Sequence, residues 1–167
     1  MTPLSKESRL VQNPALGATL LWRFVSAFQS SHQQGDYPPL QLLYLVLPMT
    51  LHAETCDMIR ATQKGSGLST FADRFTRSDA NKTDILLAID NRVIAWRELT
   101  RASLAIALRC RLLTIAPDTG KVVAIVHTQS SAIPPSVNHL LSAAEKLGAW
   151  FSGLTLFEIA TSLKVHL

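Results

Sequence analysis

The sequence predicts a mainly α-helical fold that contains one winged-helix-like module, a helix-turn-helix followed by a single β-hairpin wing. Apolar residues recur at helical spacing over most of the 167 residues. Two short runs rich in β-branched residues, 113–115 and 122–126, break this pattern. The turn sequence PDTG at 117–120 lies between them, which predicts a β-hairpin.

Residues 1–82 are predicted to form an N-terminal helical part. Asn13 followed by a proline is typical of a helix start, because the Asn side chain accepts a hydrogen bond from a free amide and proline has no amide to lose. This helix is expected to end near Gly35. Residues 40–51 are apolar on all sides of a helical wheel, which predicts a central helix that Pro48 kinks or ends. A further short helix or turn is expected at 52–63, and another short helix at 68–75.

Residues 83–129 are predicted to form the winged-helix-like module. Thr83 is expected to cap a first helix over 84–96, and Thr100 is expected to cap a second helix over 101–111. Helix, short connection, helix and hairpin is the order of a winged helix-turn-helix. In that fold the second helix and the wing form one face.

Residues 130–167 are predicted to form C-terminal helices. Ser136 is expected to cap one helix after a linker over 130–135. Thr155 and Glu158 have the spacing of a capping box, which predicts a last short helix. The three parts are expected to pack as one compact unit.

The composition indicates either an unusually apolar core or a subunit interface. Apolar residues make up 47% of the chain and charged residues 17%, whereas roughly 25% charged residues is typical of soluble domains. Because large exposed apolar patches usually mark a partner, the interface is the favoured explanation. The net charge of +4 permits contact with nucleic acid without requiring it.

The sequence predicts a cytoplasmic protein without membrane contact. The apolar run at 40–51 is shorter than the roughly 20 residues that a membrane-spanning helix needs. The first ten residues lack the apolar centre of a signal peptide. Cys56 and Cys110 are far apart in the chain and are expected to be reduced thiols.

No sequence motif points to catalysis, a cofactor or a metal ion. The glycine segment at 64–67 lacks the Lys-Ser/Thr end of a phosphate-binding loop. His52 and Glu54 match half of the zinc deaminase signature, but the Pro-Cys-x-x-Cys half is absent. None of the five histidines forms a His-x-x-x-His pair. The chain is therefore predicted not to be an enzyme, and a small enzyme would have to use Cys56, Cys110 or His52.

Basic residues on the second helix and the wing are the candidate binding residues. If that helix continues to residue 111, then Arg97, Arg101 and Arg111 lie within roughly 80° on a helical wheel. One interpretation is that they contact DNA phosphates. The favoured interpretation is a solvated face or a set of ion pairs with acids of a protein partner. The candidates for nucleic-acid or partner binding are Arg97, Arg101, Arg109, Arg111 and Lys121.

Four segments resemble the middle component of bacterial three-component ABC systems, a group that includes the Lamassu-type defence systems. They are NPAL and LWRF within 13–24, LVLPMTLH at 45–52, TRASL at 100–104 before the hairpin, and GAWF at 148–151. The resemblance extends over nearly the whole chain. The chain departs from the family pattern at Cys110 and Arg111, where a glycine-like residue is expected to end the second helix.

The resemblance implies a small subunit that has no catalytic residues of its own. It implies an SMC-like ABC ATPase and a nuclease-type effector as partners, double-stranded DNA contact through the complex, and action against phage or plasmids. The resulting hypothesis is a non-catalytic adaptor that links the ATPase to the effector. The alternative is a free-standing winged-helix DNA-binding transcriptional regulator, which would bind duplex DNA by itself with a steep salt dependence.

Overall fold

The computed structural model describes residues 13–77, 80–125 and 133–167. Within these ranges the chain is mainly helical, as predicted, with eight α-helices and one two-stranded antiparallel sheet. In chain order the elements are α1 (Pro14–Ser31), α2 (Leu40–Thr50), α3 (Ala53–Ala61), α4 (Gly67–Thr76), α5 (Ala80–Ala95), α6 (Arg97–Arg109), β1 (Leu113–Ile115), β2 (Val122–Ala124), α7 (Asn138–Phe151) and α8 (Leu156–Leu163). Short 3₁₀ helices at Lys64–Ser66 and Pro135–Val137 precede α4 and α7.

Helix α1 begins where the sequence predicts. The side-chain oxygen of Asn13 accepts hydrogen bonds from the N–H groups of Ala15 at 3.0 Å and Leu16 at 3.2 Å. Pro14 occupies the first helical position, where no amide is needed. Two of the free amides at the helix start are therefore satisfied by one side chain.

The end of α1 differs from the prediction. The helix ends at Ser31 rather than near Gly35. The ring nitrogen Nδ1 of His32 accepts hydrogen bonds from the N–H groups of Gln34 at 3.2 Å and Asp36 at 3.1 Å. The histidine ring therefore organises the turn. Gly35 lies between the two donor residues and has a φ of +66°.

Helix α1 packs chiefly against α7 and α6, and a glycine allows close approach at each crossing. A Cβ atom on Gly148 would lie 2.3 Å from the carbonyl oxygen of Phe24. A Cβ atom on Gly17 would lie 2.1 Å from the hydroxyl oxygen of Ser103. Since real Cβ contacts are never that short, both positions require glycine for this packing.

Helix α2 is the central helix that its apolar sequence predicts, with eight of its eleven residues buried. Pro48 lies in its last turn, and the helix ends two residues later at Thr50. The Thr50 hydroxyl donates to the carbonyl of Val46 at 2.8 Å, and Arg92 donates to the carbonyl of Pro48 at 3.1 Å. The contact from Arg92 satisfies one of the last four carbonyls, which the helix end leaves without intrahelical partners.

One hydrophobic core joins the described parts of the chain. It contains buried side chains from all eight helices and from both strands. Its largest fully buried side chains include Phe24, Phe71, Phe75 and Phe151. No helix among the described residues is both long enough and apolar enough to cross a membrane.

The junction between α5 and α6 is shorter than predicted. Helix α6 begins at Arg97, so only Trp96 separates the two helices. Thr100, the predicted cap, lies inside α6, where its hydroxyl donates to the carbonyl of Trp96 at 3.2 Å. Thr83, the other predicted cap, lies inside α5. A threonine hydroxyl can satisfy either a free amide at a helix start or the carbonyl four residues earlier inside a helix.

Helix α6 ends at Arg109, two residues before the predicted end. Arg111 has a φ of +57°, a left-handed conformation that favours glycine. Its N–H donates to the carbonyl of Leu108 at 3.1 Å, and the N–H of Leu112 donates to that of Ala107 at 2.9 Å. This is a Schellman motif. Position 111 therefore has the glycine-like backbone that the family pattern leads us to expect, with an arginine side chain.

The β-hairpin is confirmed at the predicted place, with Leu113 opposite Ala124 and Gly120 at a φ of +66° in the turn. The outer edge of β2 is held by the helical body. The amide of Val122 donates to the carbonyl of Pro38 at 2.9 Å, and the amide of Ala124 donates to the side chain of Gln29. Strand β2 ends at Ala124, before the predicted residue 125. Residue 126 and residues 130–132 of the predicted linker lie outside the described residues.

The two C-terminal helices are present, but only one of the predicted caps is confirmed. Ser136 lies inside the 3₁₀ helix rather than at the start of α7. Thr155 and Glu158 form the predicted capping box at the start of α8. Helix α8 ends at Leu163.

Candidate functional site

A cleft of about 570 Å³ lies where four separate parts of the chain meet. We call it the hairpin cleft. The start of α2, the α5–α6 junction, the hairpin turn and the segment from α8 onward form its walls. Its lining residues are Pro39, Leu40, Gln41, Tyr44, Val93, Arg97, Thr119, Gly120, Leu156, His166 and Leu167.

One wall is fixed by an ion pair between the hairpin and the segment before α2. The ammonium nitrogen of Lys121 lies 2.6 Å from both carboxylate oxygens of Asp36. The hydrogen bond from Lys121, followed by that from the N–H of Tyr37, lowers the pKa of Asp36. Pro39 also pairs with Lys121 as an isolated β-bridge. The hairpin turn is therefore held beside the start of α2.

A second wall is held by a contact between the end of the described chain and α5. The N–H of His166 donates to one carboxylate oxygen of Asp90 at 2.9 Å, and its ring nitrogen lies 3.2 Å from the other. The hydrogen bond from the His166 amide is the main cause of the lowered pKa of Asp90. This contact holds residues 166 and 167 against the cleft.

The lining side chains of the cleft include one arginine and no acid. Arg97 is exposed in its lining and has no hydrogen-bond or ion-pair partner among the described residues. Arg101 is close by, since its side chain interacts with the hydroxyl of the lining residue Tyr44. This interaction, followed by the ion pair with Glu98 at 2.7 Å, raises the pKa of Arg101. The cleft thus combines mainly apolar walls with a free guanidinium group.

A model of one protein family matches residues 1–167, and its description is ABC-three component (ABC-3C) system Middle Component 3. The chain belongs to this family. The resemblance to the middle component of three-component ABC systems is thereby confirmed, and the chain is a component of such a multi-subunit system. No curated protein matches it, and no solved structure does.

The structure separates the five candidate residues of this Middle Component 3 chain into two places. Arg97 and Arg101 lie at the hairpin cleft, and Lys121 supports its wall through Asp36. Arg109 and Arg111 lie at the other end of α6, about 18 Å along the helix axis at 1.5 Å per residue. The wheel calculation that joined Arg111 to Arg97 is wrong, because the helix ends at Arg109.

Arg92, in the last turn of α5, is a further basic residue of this Middle Component 3 chain, but its side chain points inward. Its guanidinium donates to the carbonyl of Pro48 and the hydroxyl of Thr55, both at 3.1 Å, and to the carbonyl of Ile85 at 3.0 Å. Burial lowers its pKa. The signal was its spacing, because Arg92 lies three residues after the buried Ile89 on α5.

Three residues of the Middle Component 3 chain were candidates for catalysis. One is a buried thiol, one caps a helix, and one is an exposed thiol. Cys56 is buried, and burial raises the pKa of its thiol to about 11. Nδ1 of His52 accepts from the N–H of Thr55 at 3.4 Å and so caps α3. Cys110 is exposed just after α6. Among the described residues, no group of three or more His, Cys, Asp and Glu side chains could hold a metal ion.

Proposed function

We propose that this chain is a non-catalytic adaptor that links an SMC-like ABC ATPase to a nuclease-type effector in a Lamassu-type system acting against phage or plasmids in the cytoplasm. The observation that carries the proposal is the match to Middle Component 3 over residues 1–167. A middle component works together with other subunits. In this proposal those subunits carry out the chemistry, and this chain connects them.

The surroundings of the candidate nucleophile support a role in contact rather than in chemistry. At neutral pH a thiol with a pKa of about 11 is almost entirely protonated, so Cys56 is a poor nucleophile. The ring of His52 is held at the start of α3 by Thr55, and burial lowers its pKa. Among the described residues, the hydrogen-bond partner of the His52 ring is Thr55 rather than a thiol or a carboxylate.

The surface of the hairpin cleft supports binding to a protein. Large apolar side chains exposed near a concave surface are typical of interaction sites. Phe157, at the start of α8, is 79% exposed, and Ile94, near the end of α5, is 58% exposed. Both are next in the chain to residues that line the cleft. A protein-binding surface would also account for the low charged fraction of the sequence, 17%.

The alternative function, a winged-helix DNA-binding regulator, is supported by the exposed face of α6. We propose that α5, α6 and the hairpin form a winged-helix-like module. We also propose that this module packs with the N-terminal and C-terminal parts as one compact unit. Arg97, Arg101 and Arg109 are all exposed on α6, at spacings of four and eight residues. The opposite face of α6, which includes Ser103 and Ala107, is buried. An exposed basic face of this kind is able to contact phosphates.

A pull-down distinguishes the two functions. The tagged chain is expressed together with its native flanking genes, washed at moderate salt after nuclease treatment, and analysed by mass spectrometry. The adaptor predicts that an ABC ATPase and an effector are recovered in fixed ratio. If the chain is recovered alone and binds duplex DNA with a steep salt dependence, the adaptor is rejected in favour of the regulator.

A further inference from the structure

We propose that the hairpin cleft binds a short segment of a partner protein in which an acidic residue stands next to a large apolar residue. The inference rests on the proposed function, since it assigns the place at which the adaptor meets one of its protein partners. It follows from the size of the cleft, the side chains around it and its charge.

The size and walls of the cleft suit apolar side chains. Its volume of about 570 Å³ is within the range of roughly 300–1,000 Å³ found for binding pockets. Hydrogen bonds and ion pairs between distant parts of the chain fix two of its walls, so the cleft is formed before a partner arrives. The apolar lining residues are Pro39, Leu40, Val93, Leu156 and Leu167.

Four of the five large exposed apolar side chains of the described residues lie in chain segments that form the cleft walls, and the fifth, Leu87, lies earlier in α5. Leu167 is 40% exposed and lines it, while Ile94 and Phe157 follow the lining residues Val93 and Leu156 in the chain. Tyr37, which is 38% exposed, precedes the prolines that lead into α2. Exposed apolar side chains that cluster at a groove are typical of an interaction site.

The charge of the cleft identifies the polar part of the partner segment. Arg97 has no described partner, whereas Lys121 is paired with Asp36 and the ring of His166 is next to Asp90. A carboxylate can accept two hydrogen bonds from one guanidinium, and arginine is enriched in protein interfaces for this reason. An acidic side chain beside the apolar anchor would therefore satisfy Arg97.

A peptide fits this site better than a nucleic acid. Duplex DNA is held by several cations that follow its phosphates. Within the cleft only Arg97 offers a free guanidinium, and most of the remaining wall is apolar. Arg109, the next exposed arginine without a described partner on α6, lies about 18 Å away along the helix axis.

The test compares variants of the tagged chain in the co-expressed complex, with nuclease treatment before capture. Arg97→Glu reverses the charge in the cleft, and Lys64→Glu reverses an exposed charge at a 3₁₀ helix that does not line the cleft. Leu167→Asp adds a repelling charge to the apolar wall, and Leu167→Lys removes the same apolar contact without repulsion. Circular dichroism establishes that each variant is folded.

We expect Arg97→Glu and Leu167→Asp each to weaken the capture of one partner by about tenfold, because both place a negative charge against an acidic segment. Lys64→Glu should capture as much as the unmodified chain, and Leu167→Lys should lose less than Leu167→Asp. Recovery of that partner at an unchanged level by both cleft variants would overturn the proposed docking site while leaving the adaptor intact. Failure of the unmodified chain to capture any flanking-gene product would instead reject the adaptor, and the docking site with it.

A photo-crosslinking amino acid at Gln41, an exposed lining residue, identifies the occupant directly. The expected product is a crosslink to one partner, at a peptide that contains both an acidic and a large apolar residue. A crosslinked peptide without an acidic residue, or a crosslink to DNA alone, would contradict the proposed chemistry.

Discussion

The ammonium nitrogen of Lys146, on α7, lies 2.8 Å from the carbonyl oxygen of Thr62, which follows the last residue of α3. The same nitrogen donates to the carbonyls of Ile59 at 3.1 Å and Arg60 at 2.9 Å. One side chain therefore satisfies three carbonyls at the end of a neighbouring helix. A cation at this end is also favoured by the helix dipole.

Replacement of this lysine should destabilise the fold. Lys146→Met keeps most of the apolar stem but leaves the carbonyls of Arg60 and Thr62 without a described donor, while that of Ile59 keeps the N–H of Thr62 at 3.3 Å. We expect a loss of about 1–3 kcal/mol in the free energy of unfolding, measured by urea denaturation. Lys64→Met, at an exposed lysine, is the control and should change the free energy by less than about 0.5 kcal/mol. Equal effects of the two substitutions would show that the three hydrogen bonds contribute nothing.

Addition of a methyl group at the α1–α7 crossing should also destabilise the fold. In Gly148→Ala the new Cβ atom would lie 2.3 Å from the carbonyl oxygen of Phe24, which is backbone and cannot rotate away. We expect a loss of about 1–3 kcal/mol and a lower melting temperature. Gly153→Ala, where no atom lies within 4 Å of the added Cβ, should be neutral or slightly stabilising. A Gly148→Ala variant as stable as the unmodified chain would contradict the close crossing.

Glycine at position 164 should stabilise the protein. Lys164 has a φ of +53° at the end of α8, and the N–H of Val165 donates to the carbonyl of Ala160 at 3.0 Å. A left-handed conformation costs a residue with a Cβ atom roughly 1 kcal/mol. Lys164→Gly should therefore raise the free energy of unfolding by about 0.5–1 kcal/mol. Lys164→Ala keeps the Cβ atom and should leave it nearly unchanged, so a gain with alanine would point to another cause.

The ion pair between Asp36 and Lys121 should make stability depend on acid pH. The pKa of Asp36 in the folded chain is lowered from 3.8, so the carboxylate stabilises the fold above that value. This contribution is lost as the pH falls through the lower, folded-state pKa. We expect Asp36→Asn to reduce stability at pH 6 and to have a smaller effect at the lowest pH at which the chain still folds. The measurement is urea denaturation as a function of pH.

The control for this pH dependence is Asp118→Asn in the hairpin turn, since Asp118 is exposed and has no described partner. It should change stability little at either pH. A difference between the Asp36→Asn variant and the unmodified chain that stays constant from pH 6 to pH 3 would contradict the assigned ion pair.

The elements that could be predicted from the sequence are those specified by neighbouring residues. Asn13 before a proline and Thr155 three residues before Glu158 each give a helix start that depends on local hydrogen bonds alone. The hairpin was predictable because two short β-branched runs flank a turn with a glycine at the required position. The apolar pattern of α2 likewise predicted its burial.

Other features depend on residues that are distant in the chain. Thr100 has the residue type of a cap, but its hydroxyl bonds within the helix because α5 and α6 turn at Trp96 without a glycine or proline. The hairpin cleft could not be predicted, since its walls come from four separate segments. Of the five basic candidates, only Arg97 lines that cleft.

The contrast between the two thiols gives a practical route to distance measurements. Cys56 is buried with a pKa raised to about 11, whereas Cys110 is exposed just beyond α6. A maleimide dye at neutral pH should therefore react at one site of the unmodified chain. That site, Cys110, lies at the end of α6 away from Arg97. Energy transfer between this dye and a second dye on a bound subunit would report the distance from the helix to that subunit, with no substitution in this chain.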